Sequence, residues 1–193
     1  MRVLTLLLLP LLLLSGPSMA REPLPYGYFG VDLLGSELTR DDGIFQGGFD
    51  DRSGGLRVHA GYRHNNWLGF EGAVQSLGSF SNPRVELSYG ALSGSLMLYL
   101  PIEGRVFEPY ARLGAGLMSI EARSAFRYAT DTKPVGTLGA GLQVNINDRV
   151  AMRLGVDHYS FETRFGGSIR EDGSFDHAIQ QLDSAHAGVM VKF

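Results

Sequence analysis

Apolar and polar residues alternate along most of this chain with a period of two. In the segment 55–64, whose sequence is GLRVHAGYRH, every second residue from Leu56 to Tyr62 is apolar, and the residues between are basic or glycine. Such alternation indicates β-strands with one apolar and one polar face. The same pattern recurs near 26–35, 68–78, 89–100, 107–118, 135–146, 149–159 and 182–193. The chain therefore predicts eight strands.

The connections between these segments alternate between short and long. Short links fall at 65–66, 101–106 and 147–148, whereas long links fall at 36–54, 79–88, 119–133 and 163–180. In hydrocarbon every backbone N–H and C=O must be paired, so a sheet can span a membrane only if it closes on itself. An even strand number with this loop pattern is typical of outer-membrane barrels. We predict an all-β fold, an eight-stranded antiparallel up-and-down transmembrane β-barrel with short periplasmic turns and four long extracellular loops.

The N-terminal segment predicts export. Residues 1–20, MRVLTLLLLPLLLLSGPSMA, place Arg2 before a short apolar stretch and end in small residues, with Ser18 and Ala20 at the positions that a signal peptidase recognises. This pattern is typical of a cleaved signal peptide. Cleavage would leave 21–193 as a single barrel domain, which we expect in the outer membrane of a Gram-negative bacterium.

Composition narrows the function. The formal net charge is −3 with no basic cluster, which argues against nucleic acid as a partner. The histidines show no metal-ligand spacing, and we assign no catalytic, cofactor or metal residue.

The predicted lumen face is rich in small residues and carries these ionisable side chains: Asp32, Arg57, His59, Arg63, Glu71, Arg112, Arg153, Asp157 and Lys192. We interpret them as a salt-bridged plug, because eight strands leave room only for side chains. The alternative is a narrow pore for small solutes.

Aromatic residues fall into two groups along the strands. One group lies near the short turns and one toward the long loops, and we expect both to anchor the barrel at the membrane interfaces. The first group is Trp67, Phe70, Phe107 and Phe193, and the second is Phe80, Tyr89, Phe126, Tyr159 and Phe161.

Several strands resemble those of a known family. PYARLGAGL at 109–117 and LGAGLQVNINDRVAMRLGVDHYSF at 138–161 resemble the fifth to seventh strands of OmpA-type barrels. The last strand, HAGVMVKF, ends in Phe193 and resembles the C-terminal signal recognised by the barrel-assembly machinery. The resemblance implies that machinery, outer-membrane lipids and lipopolysaccharide as partners. It also implies a non-catalytic role in envelope integrity or surface interaction through the loops, whose ligand the sequence does not identify.

A second, local resemblance involves VDHYSFETR at 156–164. His158 and Ser160 share the outward face of strand seven, and Asp183 lies on the outward face of strand eight. The arrangement resembles PagL-type lipid A deacylases, in which such a serine attacks an ester, the histidine takes its proton and an acid orients the imidazole. The chain departs from that pattern after Ser160, where Phe161-Glu162-Thr163 replaces an asparagine and a glycine-bearing stretch. An outer-leaflet lipid A deacylase is therefore kept as an alternative function.

Overall fold

The computed structural model describes residues 24–40, 52–81, 85–102, 106–124, 128–163 and 178–193. The predicted signal peptide and the residue Phe126 lie outside these ranges. No helix within them is long and apolar enough to cross a membrane. The strands are β1 (Tyr26–Arg40), β2 (Arg52–Arg63), β3 (Leu68–Ser81), β4 (Val85–Tyr99), β5 (Phe107–Ser124), β6 (Tyr128–Asn145), β7 (Val150–Thr163) and β8 (Ala178–Lys192).

The eight strands form one closed barrel in chain order. Each strand pairs antiparallel with its sequence neighbours, and β1 closes the barrel by pairing with β8. At the seam the backbone of Phe193 accepts a hydrogen bond from Gly27 at 3.0 Å and donates one back at 2.9 Å. Closure pairs the edges that an open sheet would leave exposed, and the predicted fold is confirmed.

Two of the short turns have the same local construction. The side-chain Oδ1 of Asn65 accepts hydrogen bonds from the backbone N–H groups of Trp67 and Leu68. Asn147 Oδ1 accepts equivalent bonds from Arg149 and Val150, at 2.9 and 2.7 Å. An asparagine side chain that mimics a backbone turn in this way favours a tight reversal. These turns place β2–β3 and β6–β7 in register.

The strands run further than the alternation predicted. Parts of all four predicted long loops are strand, namely 36–40, 52–54, 79–81, 85–88, 119–124, 128–133, 163 and 178–180. β3 makes this extension through a register shift between Ser76 and Gly78, where Gly78 has a φ of 97°. A side chain at Gly78 would also meet the backbone of Gly54, so glycine suits both the conformation and the space.

The predicted parity of the strands is confirmed in the lower part of the barrel, nearest the short turns. Arg57 and Arg153 point inward and are fully buried, whereas Leu33 and Leu138 point outward and are 68% and 61% exposed. In this part of the barrel polar residues therefore fill the interior, and apolar residues cover the outer wall.

Candidate functional site

A network of buried charges fills the middle of the lumen, and we call it the charge layer. It consists of Asp32, Arg57, His59, Glu71, Arg112, Arg153, Asp157 and His186. Arg57 bridges two strands of the wall. Its Nε donates to Asp32 Oδ2 at 2.6 Å, and its Nη1 donates to Asp157 Oδ2 at 2.7 Å. Buried charges need such partners, because an unpaired charge away from water is strongly unfavourable.

Glu71 is the second centre of the charge layer. It is paired with Arg153 and lies 3.2 Å from His59 Nδ1, and its Oε2 accepts a hydrogen bond from Tyr28 Oη at 3.0 Å. Arg112 connects the two centres, since its guanidinium lies 3.2 Å from Asp157 and 3.8 Å from Glu71. Seven of the nine predicted plug residues are thus brought together in one network, whereas Arg63 and Lys192 lie outside it. The Nζ atom of Lys192 lies 5.4 Å from the centroid of the Tyr26 ring.

His186 belongs to the charge layer although the charge pattern of the sequence did not single it out. Its Nδ1 lies 3.2 Å from Asp157 Oδ2, and its Nε2 is hydrogen-bonded to Tyr110 Oη at 2.8 Å. The signal was available in the parity of β8, where His186 shares a face with Lys192. The position of His186 on the inward face of β8, rather than its spacing from other histidines, indicates that it belongs to the charge layer.

A further polar cluster lies below the charge layer, toward the short turns. Arg63 Nη1 donates to Glu108 Oε2 at 2.8 Å, and its guanidinium stacks 4.0 Å from the centroid of the Tyr99 ring. Gln143 and Asn145 also donate to Glu108, at 3.1 and 2.9 Å. Sequence reasoning missed Glu108, which shares the inward face of β5 with Arg112.

Above the charge layer, at the end away from the short turns, the lumen is filled by apolar side chains, and we call them the apolar layer. Each is at most 7% exposed; the members are Leu34, Leu77, Phe80, Leu87, Tyr89, Ala91, Met118, Ile120, Val135, Tyr159, Phe161 and Leu182. Phe80 packs edge-on against Tyr89 with ring centroids 5.6 Å apart, and Tyr89 lies 6.2 Å from Phe161. The lumen therefore contains a second, chemically distinct layer.

The apolar layer corrects one prediction. Phe80, Tyr89, Tyr159 and Phe161 were expected to anchor the barrel in the outer membrane interface, but all four point inward and are buried. The short-turn group does point outward, since Trp67, Phe70, Phe107 and Phe193 are between 52% and 76% exposed, and its anchoring role stays a prediction. Interior packing at the upper end outweighs interfacial anchoring.

His158 and Asp183 form a hydrogen-bonded pair on the outer wall. Nδ1 of His158 lies 2.6 Å from Oδ1 of Asp183, the two residues are direct partners between β7 and β8, and both side chains are nearly half exposed. Ser160 points outward beside them, but in the described part of the chain its hydroxyl makes no hydrogen bond to His158. Its neighbour Phe161 lies within the paired ladder between β6 and β8, so its N–H is not free to stabilise an oxyanion.

Within the described ranges, no group of three or more His, Asp or Glu side chains is arranged to hold a metal ion.

An integral membrane β-barrel whose narrow interior is occupied by its own side chains is the class that this fold and lumen define. Residues 6–193 match the family model of the outer membrane protein beta-barrel domain, and the chain belongs to that family. Membership implies the outer membrane of a Gram-negative bacterium as its location.

Solved structures give the same fold. The chain is similar to Neisserial surface protein A, with a TM-score of 0.65 and 16% identity, over 93% of this chain and 100% of that one. Ail, the attachment invasion locus protein of Yersinia pestis, gives 0.56 and 17% over 87% and 98%. OprG from Pseudomonas aeruginosa gives 0.51 and 13% over 91% and 98%. No curated protein sequence matches the chain significantly.

Proposed function

We infer that this protein is a non-catalytic outer-membrane barrel that supports envelope integrity or surface interaction through its extracellular end, with a lumen closed to solutes. The single observation that carries this inference is the filling of the lumen by two successive layers. Ions crossing the charge layer would have to displace paired, buried side chains such as Arg57. Ions crossing the apolar layer would have to shed their water among side chains such as Leu77, Met118 and Leu182.

Recordings across a planar lipid bilayer test closure directly. The folded protein should give no steady conductance, since each layer alone excludes hydrated ions. A general porin reconstituted in the same way provides the positive control. A stable open channel at high incidence would contradict the proposal and favour the narrow-pore alternative, in which the lumen charges select the solute.

An outer-leaflet lipid A deacylase is the second candidate, favoured by the contact between His158 and Asp183. In that reaction Ser160 Oγ would attack an ester carbonyl of lipid A while His158 Nε2 takes the hydroxyl proton and passes it to the leaving alkoxide. Water would then hydrolyse the acyl-serine and release the fatty acid. Against this candidate stand the unengaged Ser160 hydroxyl and the absence of a free N–H beside it.

Mass spectrometry of lipid A separates the two candidates. Cells that produce the native protein and cells that produce Ser160→Ala should contain identical lipid A if the barrel is non-catalytic. Loss of one acyl chain with the native protein, absent with Ser160→Ala at equal amounts of folded barrel, would establish the enzyme instead.

A further inference from the structure

The outer wall of the barrel changes character along each strand. On β5, Leu113 and Leu117 point outward in the lower part, whereas Glu121 and Arg123 point outward further up. The inward face changes in the opposite sense, from the buried Arg112 in the lower part to buried apolar side chains higher up. Side chains of β5 still alternate between the two faces across this point, but the outward face becomes polar and the inward face becomes apolar. We call this change the inversion.

The change of the outward face from apolar to polar occurs on all eight strands. Each strand can be followed from the short turns toward the long loops, and on each a last apolar outward residue is succeeded by a first polar outward residue. For β1 to β8 in turn, these two positions are 33 and 37, 56 and 52, 74 and 76, 92 and 88, 117 and 119, 134 and 132, 156 and 158, and 185 and 183. We call the strand segments beyond this boundary the collar: 36–40, 52–55, 76–81, 85–90, 119–124, 128–133, 158–163 and 178–183. Below the boundary no charged side chain points outward from the described strands.

The solvent on the outside explains the inversion. In hydrocarbon an outward charge is unfavourable, so a lipid-facing wall is apolar and the interior holds the polar groups. In water the preference is reversed, and an apolar interior with a polar wall is the stable arrangement. Inside the described part of the collar, the charges of Asp131 and Lys133 lie opposite each other, with Nζ of Lys133 3.4 Å from Oδ1 of Asp131. The boundary therefore marks the upper surface of the hydrocarbon, and the collar stands above it.

The height of the collar is informative. Its segments are mostly six residues long, which at a rise of 3.3 Å per residue and a tilt near 40° gives a height of about 15 Å. The headgroup region of a phospholipid leaflet is only about 5–8 Å deep. The collar is thus taller than phospholipid headgroups and matches a leaflet whose lipids carry larger headgroups.

One side of the collar has a chemistry suited to such headgroups. Short hydroxyl side chains lie on the collar wall of β3 to β6 around the outward Glu121, whose direct cross-strand partners are Ser88 and Thr130. We call these side chains the hydroxyl face: Ser76, Ser79, Ser88, Ser119, Thr130 and Thr132. Ser119 and Thr132 are direct cross-strand partners, as are Ser79 and Ser88, whose hydroxyl oxygens lie 2.8 Å apart. Immediately below lies the apolar wall, with Val74 62% and Leu92 57% exposed.

We propose that the hydroxyl face binds the saccharide headgroups of outer-leaflet lipopolysaccharide, whose acyl chains lie against the apolar wall directly beneath. Hydroxyl side chains both donate and accept hydrogen bonds, so they match sugar hydroxyls better than they match phosphocholine, which has no donor. The proposal rests on the placement of the barrel in the outer membrane and does not depend on whether the lumen is closed.

Single-cysteine variants test the proposal, because the native chain contains no cysteine. Glu121→Cys lies on β5 within the hydroxyl face, Glu37→Cys lies on β1, the strand opposite β5 in the barrel, and Leu117→Cys lies below the boundary. Each is reconstituted in phosphatidylcholine vesicles, in the same vesicles with lipopolysaccharide, and in the same vesicles with phosphatidylglycerol. The rate of reaction with an uncharged, membrane-impermeant maleimide is then measured, and heat-modifiable gel mobility confirms folding.

Leu117→Cys should stay unreactive in all three vesicles, whereas the two collar positions should react in phosphatidylcholine. Lipopolysaccharide should slow Glu121→Cys about five-fold more than Glu37→Cys, the factor that corresponds to roughly one hydrogen bond. Ser119→Ala with Thr132→Val should remove that difference while keeping the β-branched shape.

Three results would overturn the proposal. Protection of Glu121→Cys in phosphatidylcholine would show that the hydrocarbon boundary is misplaced. Equal slowing of both collar positions would indicate general crowding. Equal slowing of Glu121→Cys by phosphatidylglycerol would indicate an effect of negative charge rather than of sugars. None of these results bears on conductance or on lipid A hydrolysis, so failure here is distinguishable from failure of the proposed function.

Discussion

The embedded section of the barrel and the collar are built from the same eight strands with the same alternation, yet they are inside-out relative to each other. In the embedded section Leu113 is 59% exposed on the wall while Arg112 is buried in the lumen. Eight residues further up β5, Glu121 lies on the wall and its neighbour Ile120 is 1% exposed inside. The comparison teaches that the solvent outside decides which face of a strand is apolar.

The two sections also close the lumen by different physical means. The charge layer depends on ion pairing, because each of its ions is strongly unfavourable when left alone. The apolar layer depends on packing, which tolerates small rearrangements better than a charge network does. Mutations that remove a charge from the embedded lumen should therefore be the most damaging.

The largest expected effect is that of Arg57→Ala. This variant leaves Asp32 and Asp157 buried without their main partner, and we expect it to lower the free energy of unfolding by about 3–5 kcal/mol. Urea unfolding in phospholipid vesicles measures it. Arg52→Ala is the matched control, since the side chain of Arg52 is 84% exposed and its ion pair with Glu37 spans 3.5 Å. Equal effects of the two variants would show that the charge layer does not stabilise the barrel.

The second-largest expected effect is seen when an arginine on the lipid-facing wall is compared with an arginine on the collar wall. Leu113→Arg places a charge on the lipid-facing wall and should lower the free energy of unfolding by about 2–4 kcal/mol, the range for the bilayer midplane. Glu121→Arg places the same charge on the collar wall, where the range near an interface is about 0–1 kcal/mol. The same vesicle assay applies to both. A loss at Glu121 as large as that at Leu113 would place the collar in hydrocarbon.

The smallest effect concerns the pair on the outer wall. Asp183→Asn removes the charge opposite His158, and because both side chains are nearly half exposed we expect a change of about 0–1 kcal/mol. Urea unfolding at low and at high salt checks this, since screening should reduce even that small change. A loss several times larger would mean that lipid, rather than water, surrounds the pair, contrary to its place in the collar.

Much of this architecture was predictable from the alternation alone. Eight strands, their parity and most of the lumen charges follow from period-two patterning, because hydrocarbon imposes one polarity over the whole embedded section. The extension of the strands was missed, because residues such as Ser119 and Glu121 break the apolar-outward pattern and resemble loop chemistry. The burial of Tyr159 was missed for the same reason. Tyr159 lies on the inward face of β7, and that face carries apolar side chains only above the boundary, where water surrounds the barrel.

The outer-wall site was predictable only in part. The parity of β7 and β8 placed His158, Ser160 and Asp183 on one face, and the structure confirms that placement. Whether Ser160 is activated depends on side-chain rotamers and on free N–H groups, which no sequence pattern supplies. Recognition of Phe193 by the assembly machinery stays a prediction, although its 76% exposed ring lies on the outer wall.

The position of the hydrocarbon boundary is the central claim, and spin-label depth scanning along β5 tests it most directly. Nitroxides are attached in turn to cysteines that replace Leu113, Leu117, Ser119, Glu121 and Arg123, all outward on one strand. Collision rates with oxygen, which enriches in lipid, and with a water-soluble nickel complex are then compared. We predict that oxygen dominates at Leu113 and Leu117 and that the nickel complex dominates at Glu121 and Arg123, with the crossover near Ser119. Dominance of oxygen as far as Arg123 would contradict the account, because the whole of β5 would then lie in the membrane.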